Sequence, residues 1–379
     1  MRIYLLACCT LVLIKGTLLQ AVAVALGNGR VAQHVTLCDD SASCSGNCAQ
    51  VWRSTGAGGG KQPLPAFQLV KTVHEGGSGN FNFYGDLGEP LPRAPGSSTT
   101  TATASEYVTL VGNNGGSWLG HNVSLQRWAN TATSLQIVQI HTAVLRGTPA
   151  VFSGSCGTVP PTECGLGQGG KIVRLADGTL LAAFFGFAAD GPTTCKPGYA
   201  WARCYTLAMY RSSDEGLHWD YTSRIDHTPV MPTAVEGPCE PTLCLLNDGR
   251  VLLVFRLQSG FALWQSYSSD GGVHWTKPAA SSAWAVWPQL LLLSNGVLLL
   301  SSGRPGLGLW VSHDGSGASW DDSYNIASEH NRHFPPPSPL AFSPLSANIT
   351  SRTSPDSNPA QTTSYTSLVE IAPNVAHLA

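Results

Sequence analysis

The chain carries three copies of one short pattern: SSDEGLHW at Ser212–Trp219, SSDGGVHW at Ser268–Trp275 and SHDGSGASW at Ser312–Trp320. All three fit the template S-x-D-x-G-x-x-W, with one extra residue in the third copy, and we call each of them an Asp box. The pattern indicates a hairpin turn, because the Asp carboxylate accepts backbone N–H bonds, Gly supplies a positive φ and Trp packs beneath the turn. The copies recur at about the interval of propeller blades, which predicts a repeated four-stranded unit around an axis.

A longer phrase surrounds each Asp box: an apolar strand, a tight turn, a second apolar strand, a loop, a third strand and then the box. The tight turns are Asp177-Gly178, Asn247–Gly249 and Asn295-Gly296. Asp-Gly and Asn-Gly between apolar runs are strong hairpin signals. We therefore expect one blade per phrase, with the Asp boxes on the outer rim as elements of the fold.

Composition and charge limit the classes of function. Of the 379 residues, 12% are charged and the formal net charge is −2, which does not favour nucleic acid or an anionic membrane surface as a partner. Residues 1–25 resemble a secretion signal, with Arg2 before an apolar run and small residues at 21–23. We expect a secreted protein without a stable membrane anchor, in which a Cys- and Gly-rich segment (26–62) precedes the propeller (63–379).

Eleven cysteines fit a secreted chain, in which most of the nine beyond the signal would form disulfides. Cys156–Cys164 and Cys195–Cys204 are candidate local pairs. The sequence has no C-x-x-C motif and no His at the spacing of zinc ligands, so we predict no metal site. Asn122 and Asn348 begin glycosylation sequons, which also fit the secretory route.

The stretch from Gly165 to Ile371 resembles the exo-α-sialidase family. The resemblance rests on GLGQGGKIVRLADGTLLA, EGPCEPTLCLLNDGRVLLVFR, LSNGVLLLSSGRPGLGLWVSHDG and SYTSLVEI, which occur in the family's order and spacing. It is best supported over residues 165–371. It implies an all-β, six-bladed β-propeller that hydrolyses terminal α-linked sialic acid with retention and needs no cofactor.

Two arginines are candidate substrate ligands. A sialoside carries a carboxylate on its anomeric carbon, and a guanidinium matches a carboxylate bidentately. Arg256 ends one apolar strand and Arg304 follows the equivalent strand of the next phrase. We therefore expect the two to occupy equivalent positions at the axial mouth of adjacent blades.

Tyr365 and Glu240 are the catalytic residues that the resemblance implies. A carboxylate is an unfavourable nucleophile for attack on an anionic centre, and sialidases use a tyrosine instead. A phenol with a pKa near 10 needs a neighbouring base. Tyr365 lies where the family has its nucleophile and Glu240 where it has the base, with Glu236 as a competing candidate.

The chain departs from the family in its N-terminal half. The family's first arginine, in an Arg-Ile-Pro strand, and its acid/base Asp have no recognisable counterpart here. Asp86 is the candidate for the acid/base residue. A binding module that holds anionic glycans without turnover therefore stays open, as does a glycosidase or lyase of another sugar. The expected partners are sialylated glycoproteins, glycolipids or oligosaccharides, and the oligomeric state is open.

Overall fold

The computed structural model describes residues 143–156, 164–167, 172–192, 204–232, 234, 236–258, 260–304, 306–338 and 366–378, together with the backbones of the earlier strands given below. The chain divides into two compact units. The first comprises Met1–Gly79, Ser259–Ala262 and Ser281–Ala379, and the second comprises Asn80–Gln258 and Leu263–Ala280.

The first sheet is an antiparallel meander of four strands in chain order. Its strands are β1 (Leu18–Gly27), β2 (Arg30–Cys38), β3 (Cys48–Ser54) and β4 (Phe67–His74). The sequence pattern shows little strand signal between residues 31 and 62, so β2 and β3 differ from that expectation. β1 overlaps the end of the predicted secretion signal, whose residues 1–17 lie outside the described residues. Secretion itself stays a prediction.

A nine-stranded sheet follows and consists of two meanders. The first contains β5 (Leu91–Pro92), β6 (Ser105–Asn113), β7 (Asn122–Asn130) and β8 (Leu135–Arg146). A short 3₁₀ helix (Ala150–Phe152) leads to β9 (Gly165–Gly167), β10 (Val173–Arg174), β11 (Leu180–Phe187), β12 (Thr206–Ser212) and β13 (His218–Ile225). The two meanders join where β13 pairs with β8 in parallel.

Two further four-stranded sheets each keep chain order. One contains β14 (Cys239–Leu245), β15 (Val251–Arg256), β16 (Ala262–Ser268) and β17 (Ala279–Trp284). The other contains β18 (Val286–Leu292), β19 (Leu298–Gly303), β20 (Leu307–Ser312) and β21 (Asp322–Asn325). A helix α1 (Ile326–His333) follows, and the hairpin β22 (Leu368–Ala372) and β23 (Val375–Leu378) ends the fold.

The predicted phrase matches these sheets strand for strand. In each of the last three meanders a tight Gly turn joins the first two strands, and an Asp box joins the last two. The central strands β15, β19 and β20 are buried along their whole length. Such continuous burial explains why apolar and small residues follow one another in these strands without a strict alternation of polar and apolar residues.

The Asp boxes form the hydrogen bonds that their sequence predicts. In the first box the Asp214 carboxylate accepts from the Ser212 hydroxyl and from the His218 backbone N–H, both at 2.9 Å. Trp219 is fully buried, and its indole N–H donates to the Gly216 carbonyl at 2.7 Å. The second box repeats this pattern around Asp270. In both boxes these hydrogen bonds join residues within four positions of one another, which agrees with a role in the fold.

The C-terminal hairpin packs into the core of the first unit. Leu368 and Leu378 share an apolar cluster with Leu299 and Val311. Glu370 fixes the hairpin further, since its carboxylate accepts from the Ser294 hydroxyl at 2.7 Å. Among the helices of the described residues, none combines the length and apolar character of a membrane span.

Candidate functional site

Glu240 and Arg256 lie at the sheet end where β14 begins and β15 ends, which we call the Glu240 end. Cys239 pairs with Arg256 in the register, and a bulge follows before pairing resumes at Thr242. Glu240 occupies this bulge with φ 47°, a left-handed conformation that is uncommon for any residue with a side chain. A bulge redirects the side chain out of the strand's alternation, and the Glu240 carboxylate here points to Arg256.

Two carboxylates hold the Arg256 guanidinium. Its Nε lies 2.8 Å from Glu240 Oε2 and its Nη2 lies 3.1 Å from Glu236 Oε2. The Nε–H is not aligned on an acceptor, so the contact with Glu240 is an ion pair rather than a directed hydrogen bond. The side chains of Arg256 and Glu240 are only 7% and 9% exposed, whereas that of Glu236 is 25% exposed. Solvent screens such buried charges weakly, so the three groups interact strongly.

Two further polar groups lie in the field of this charge cluster. Burial raises the pKa of the Tyr205 phenol and of the Cys239 thiol well above their usual values, and the negative charge of Glu236 adds to both shifts. The Arg256 charge lowers both pKa values but does not offset burial. Both groups are therefore neutral at physiological pH, and neither is a candidate nucleophile in this state.

Tyr205 also anchors Glu236. Its backbone N–H donates to the Glu236 carbonyl at 2.7 Å, and its ring stacks on Phe187 with centroids 4.3 Å apart. The same apolar cluster contains the Cys156–Cys164 disulfide, which confirms one predicted pair. Cys204 is disulfide-bonded as well, while its predicted partner Cys195 lies outside the described residues. Cys239 and Cys244 are buried free thiols.

The next sheet repeats this geometry where β18 begins and β19 ends, which we call the Trp287 end. Val286 pairs with Gly303, and a bulge again precedes the return to register at Gln289. Trp287 holds the position that Glu240 holds in the preceding sheet, with φ 54°. The sequence analysis did not single out Trp287, because an aromatic residue in a strand is unremarkable until its register is known.

The expected equivalence of the two arginines is wrong by one residue. The partner of Val286 is Gly303, so Gly303 and not Arg304 corresponds to Arg256. Arg304 is the next residue and has φ 44°. One step along a strand reverses the side-chain direction, but a left-handed residue just past the strand end does not follow that alternation. Arg304 is partly buried at the Trp287 end.

The residue after Tyr365 lies against the strand that leads to Arg304. The hydroxyls of Thr366 and Ser301 are 2.8 Å apart, and both side chains are buried. In the same strand the Ser302 hydroxyl donates to the Trp284 carbonyl at 2.6 Å. Tyr365 and Asp86 themselves lie outside the described residues, so their roles stay predictions. Arg256 belongs to the second unit and Arg304 to the first.

Within the described part of the chain, no group of three or more His, Cys, Asp or Glu side chains is arranged to hold a metal ion. The polar groups at the two sheet ends are instead carboxylates, guanidinium groups and hydroxyls. Such groups can bind an organic anion and transfer protons.

Comparison with known proteins gives one family match. Residues 165–372 match the BNR repeat-like domain model, which is more than half of the chain. A search of curated protein sequences finds no significant match.

Several solved structures are similar to this chain at low sequence identity. A Hadza microbial sialidase is 16% identical with a TM-score of 0.50, and the match covers 81% of this chain and 58% of that protein. A Trypanosoma rangeli sialidase in complex with the inhibitor DANA is 12% identical with a TM-score of 0.45, covering 79% of this chain and 47% of that one. An α-L-arabinofuranosidase from Fusarium graminearum is 12% identical with a TM-score of 0.43, covering 80% and 79%. This chain thus spans little more than half the length of the Hadza sialidase.

Proposed function

The chain belongs to the BNR repeat-like domain family of the sialidase superfamily, and from that premise we propose that it is a retaining exo-α-sialidase. It would remove terminal α-linked sialic acid from glycoproteins, glycolipids or oligosaccharides. The observation that carries this proposal is the buried contact between Glu240 and Arg256. It joins the two residue types that the chemistry requires, a base and a carboxylate ligand, at positions that the sequence resemblance assigns independently.

The first step would be attack of the Tyr365 phenolic oxygen on C2 of the sugar. The phenolic proton passes to the Glu240 carboxylate, while the bond from C2 to the leaving-group oxygen breaks and that oxygen takes a proton from an acid. Asp86 is the candidate for this acid. In the second step water attacks C2 and gives a proton to Asp86, which now acts as the base, while the bond from C2 to the tyrosine oxygen breaks and Glu240 returns its proton to that oxygen, so the product has net retention.

Glu236 supports the assignment of Glu240 as the base. A base must exchange a proton during each cycle, and an arginine that depended on this one carboxylate would lose its ion pair whenever the base is protonated. Glu236 contacts a different nitrogen of Arg256 and keeps the guanidinium paired throughout. A guanidinium also suits a substrate carboxylate, because its planar N–H donors match the two oxygens bidentately.

The contact between Thr366 and Ser301 supports Tyr365 as the nucleophile. Ser301 is three residues before Arg304 in the sequence, and Thr366 directly follows Tyr365. A substrate carboxylate on the anomeric carbon requires the carboxylate ligand and the nucleophile to be close together. The contact of Thr366 with the strand that leads to Arg304 supports these two proposed roles.

We further propose that the fold closes as a six-bladed propeller. Five meanders of four or five strands, together with the two-stranded C-terminal hairpin, support this proposal. A crystal structure with a different number of blades would contradict this count.

The direct test is release of 4-methylumbelliferone from its α-sialoside by the mature protein and by Tyr365→Phe. Turnover by the wild type that falls at least about a hundredfold in the variant, with little change in melting temperature, supports the proposal. Well-folded wild type that binds sialosides without turnover would contradict it and favour a lectin-like module. Cleavage of another glycoside in place of the sialoside would assign the fold to a different glycosidase.

A further inference from the structure

Trp287 has a backbone conformation that an aromatic residue rarely adopts. Its φ of 54° lies in the left-handed region, and Ala285 two residues earlier has φ 89°. Non-glycine residues in this region are strained, the strain persists only where the surroundings fix the conformation, and such residues cluster at functional sites. Trp287 is also only partly buried, unlike its neighbour Val286.

The same strained bulge carries a charged residue in the preceding sheet. Glu240 and Trp287 are each the second residue of their strand, each precedes a proline, and each lies in a bulge between the first pair and the resumed register. At the Glu240 end this geometry directs the side chain to Arg256. The corresponding bulge at the Trp287 end, which Arg304 follows by one residue past the strand, therefore holds an indole where the preceding sheet holds a carboxylate.

Trp287 and Arg304 flank one register pair. Trp287 follows Val286 and Arg304 follows Gly303, the partner of Val286, so both lie at the same end of one sheet within the first unit. A guanidinium beside an aromatic ring suits a ligand with one charged group and one apolar face. A pyranose that bears a carboxylate has both, because its ring presents a face of C–H groups.

We propose that Trp287 is a specificity-determining residue that stacks on the C–H face of the acidic sugar whose carboxylate Arg304 binds. This inference rests on the proposed sialidase function and deepens it. An indole offers a large, rigid contact surface with an ordered orientation, whereas the carboxylate of Glu240 serves proton transfer.

The experiment compares Trp287→Phe and Trp287→Ala with Trp284→Phe as the matched control. Trp284 lies three residues earlier and packs edge-on against Trp310, with ring centroids 4.9 Å apart. Each variant is titrated with free N-acetylneuraminic acid while tryptophan fluorescence is recorded, and each is assayed with the 4-methylumbelliferyl sialoside.

We expect a saturable fluorescence change in the wild type and in Trp284→Phe, and its loss in Trp287→Phe. KM should rise about tenfold in Trp287→Ala and less in Trp287→Phe, with kcat changed less than KM. If Trp287→Ala does not fold, Trp287→Phe decides, because it keeps an aromatic ring.

Retention of the fluorescence change and of KM in Trp287→Phe, beside an active wild type, would overturn this inference alone. A wild type that neither turns over the sialoside nor responds to N-acetylneuraminic acid would overturn the sialidase proposal and this inference with it. The two failures are therefore distinguishable.

Discussion

The Glu240 end and the Trp287 end share a backbone and differ in chemistry. At both ends the first strand has a bulge with a left-handed residue before a proline. The second strand ends at Arg256 in one case and one residue before Arg304 in the other. One end concentrates charge, with two carboxylates on Arg256. The other has an indole in the bulge, Arg304 one residue past the strand end and the buried hydroxyls of Ser301 and Thr366. The comparison teaches that the repeated fold sets where a side chain can point, while the residue at that point sets what the sheet end does.

The largest effect should come from Glu240→Gln. The amide keeps the shape of the side chain but cannot take the phenolic proton, so we expect kcat to fall about a hundredfold or more. Glu236→Gln is the matched control, since it also neutralises a carboxylate on Arg256 and should change KM more than kcat. Steady-state kinetics and melting temperatures of both variants give the answer. If Glu236→Gln instead shows the larger loss of kcat, the roles of the two glutamates are exchanged.

An intermediate effect is expected from Arg304→Lys. An ammonium cannot reproduce the planar fork of a guanidinium, so KM for the sialoside should rise about ten- to hundredfold. Arg332→Lys is the control for an Arg-to-Lys change outside the proposed site, because Arg332 is exposed on α1 and pairs with Glu329. Measurement of KM for both variants separates a site effect from a general one. An unchanged KM in Arg304→Lys would remove Arg304 from the site and leave the Trp287 end without its anion ligand.

The smallest effect should come from Asp270→Asn. Asp270 lies in an Asp box, at the end of its sheet opposite the Glu240 end. The backbone N–H of His274 is the main cause that lowers the pKa of Asp270, and the His274 ring and the Ser268 hydroxyl also lower it. Because the pKa of Asp270 is lowered in the folded state, its ionised carboxylate stabilises the folded protein. This stabilisation is fully present above the unfolded-state pKa near 3.9 and is lost as the pH falls through the folded-state pKa. Because the carboxylate is partly exposed, we expect a loss of about 1 kcal/mol or less at pH 7.

Thermal unfolding of the wild type and Asp270→Asn at pH 7 and pH 3 measures this effect. The difference in stability should shrink at pH 3, and kcat and KM at pH 7 should stay unchanged. A large loss of activity in a folded Asp270→Asn variant would contradict the assignment of the Asp boxes to the fold alone.

The Asp boxes and Gly turns could be predicted from the sequence because their interactions are local. The Asp214 carboxylate accepts hydrogen bonds from groups within four residues of it, so the residues of the motif themselves form the turn. The order of strands around each box follows from the same local signals. The buried contact of Glu240 with Arg256 also agrees with the positions that the family resemblance indicates.

Register and strain could not be predicted in the same way. The offset of Arg304 depends on which residue faces Val286 across the hairpin, and a strand such as Leu298–Gly303, which is buried at every position, shows no alternation from which this register could be inferred. The Arg256 guanidinium contacts two carboxylates because a bulge directs Glu240 toward it. The sequence indicates this bulge only by the proline after Glu240. The strands β2 and β3 have mixed polar composition, so periodicity alone does not indicate them.

The most direct test of the account is mass spectrometry of the protein after incubation with 2,3-difluorosialic acid. The account predicts one covalent glycosyl adduct, located on the peptide that contains Tyr365, that accumulates more slowly in Glu240→Gln than in Glu236→Gln. Turnover of the sialoside without an adduct on Tyr365, or an adduct on another residue, would contradict the proposed nucleophile and the role of the Glu240 end as its base.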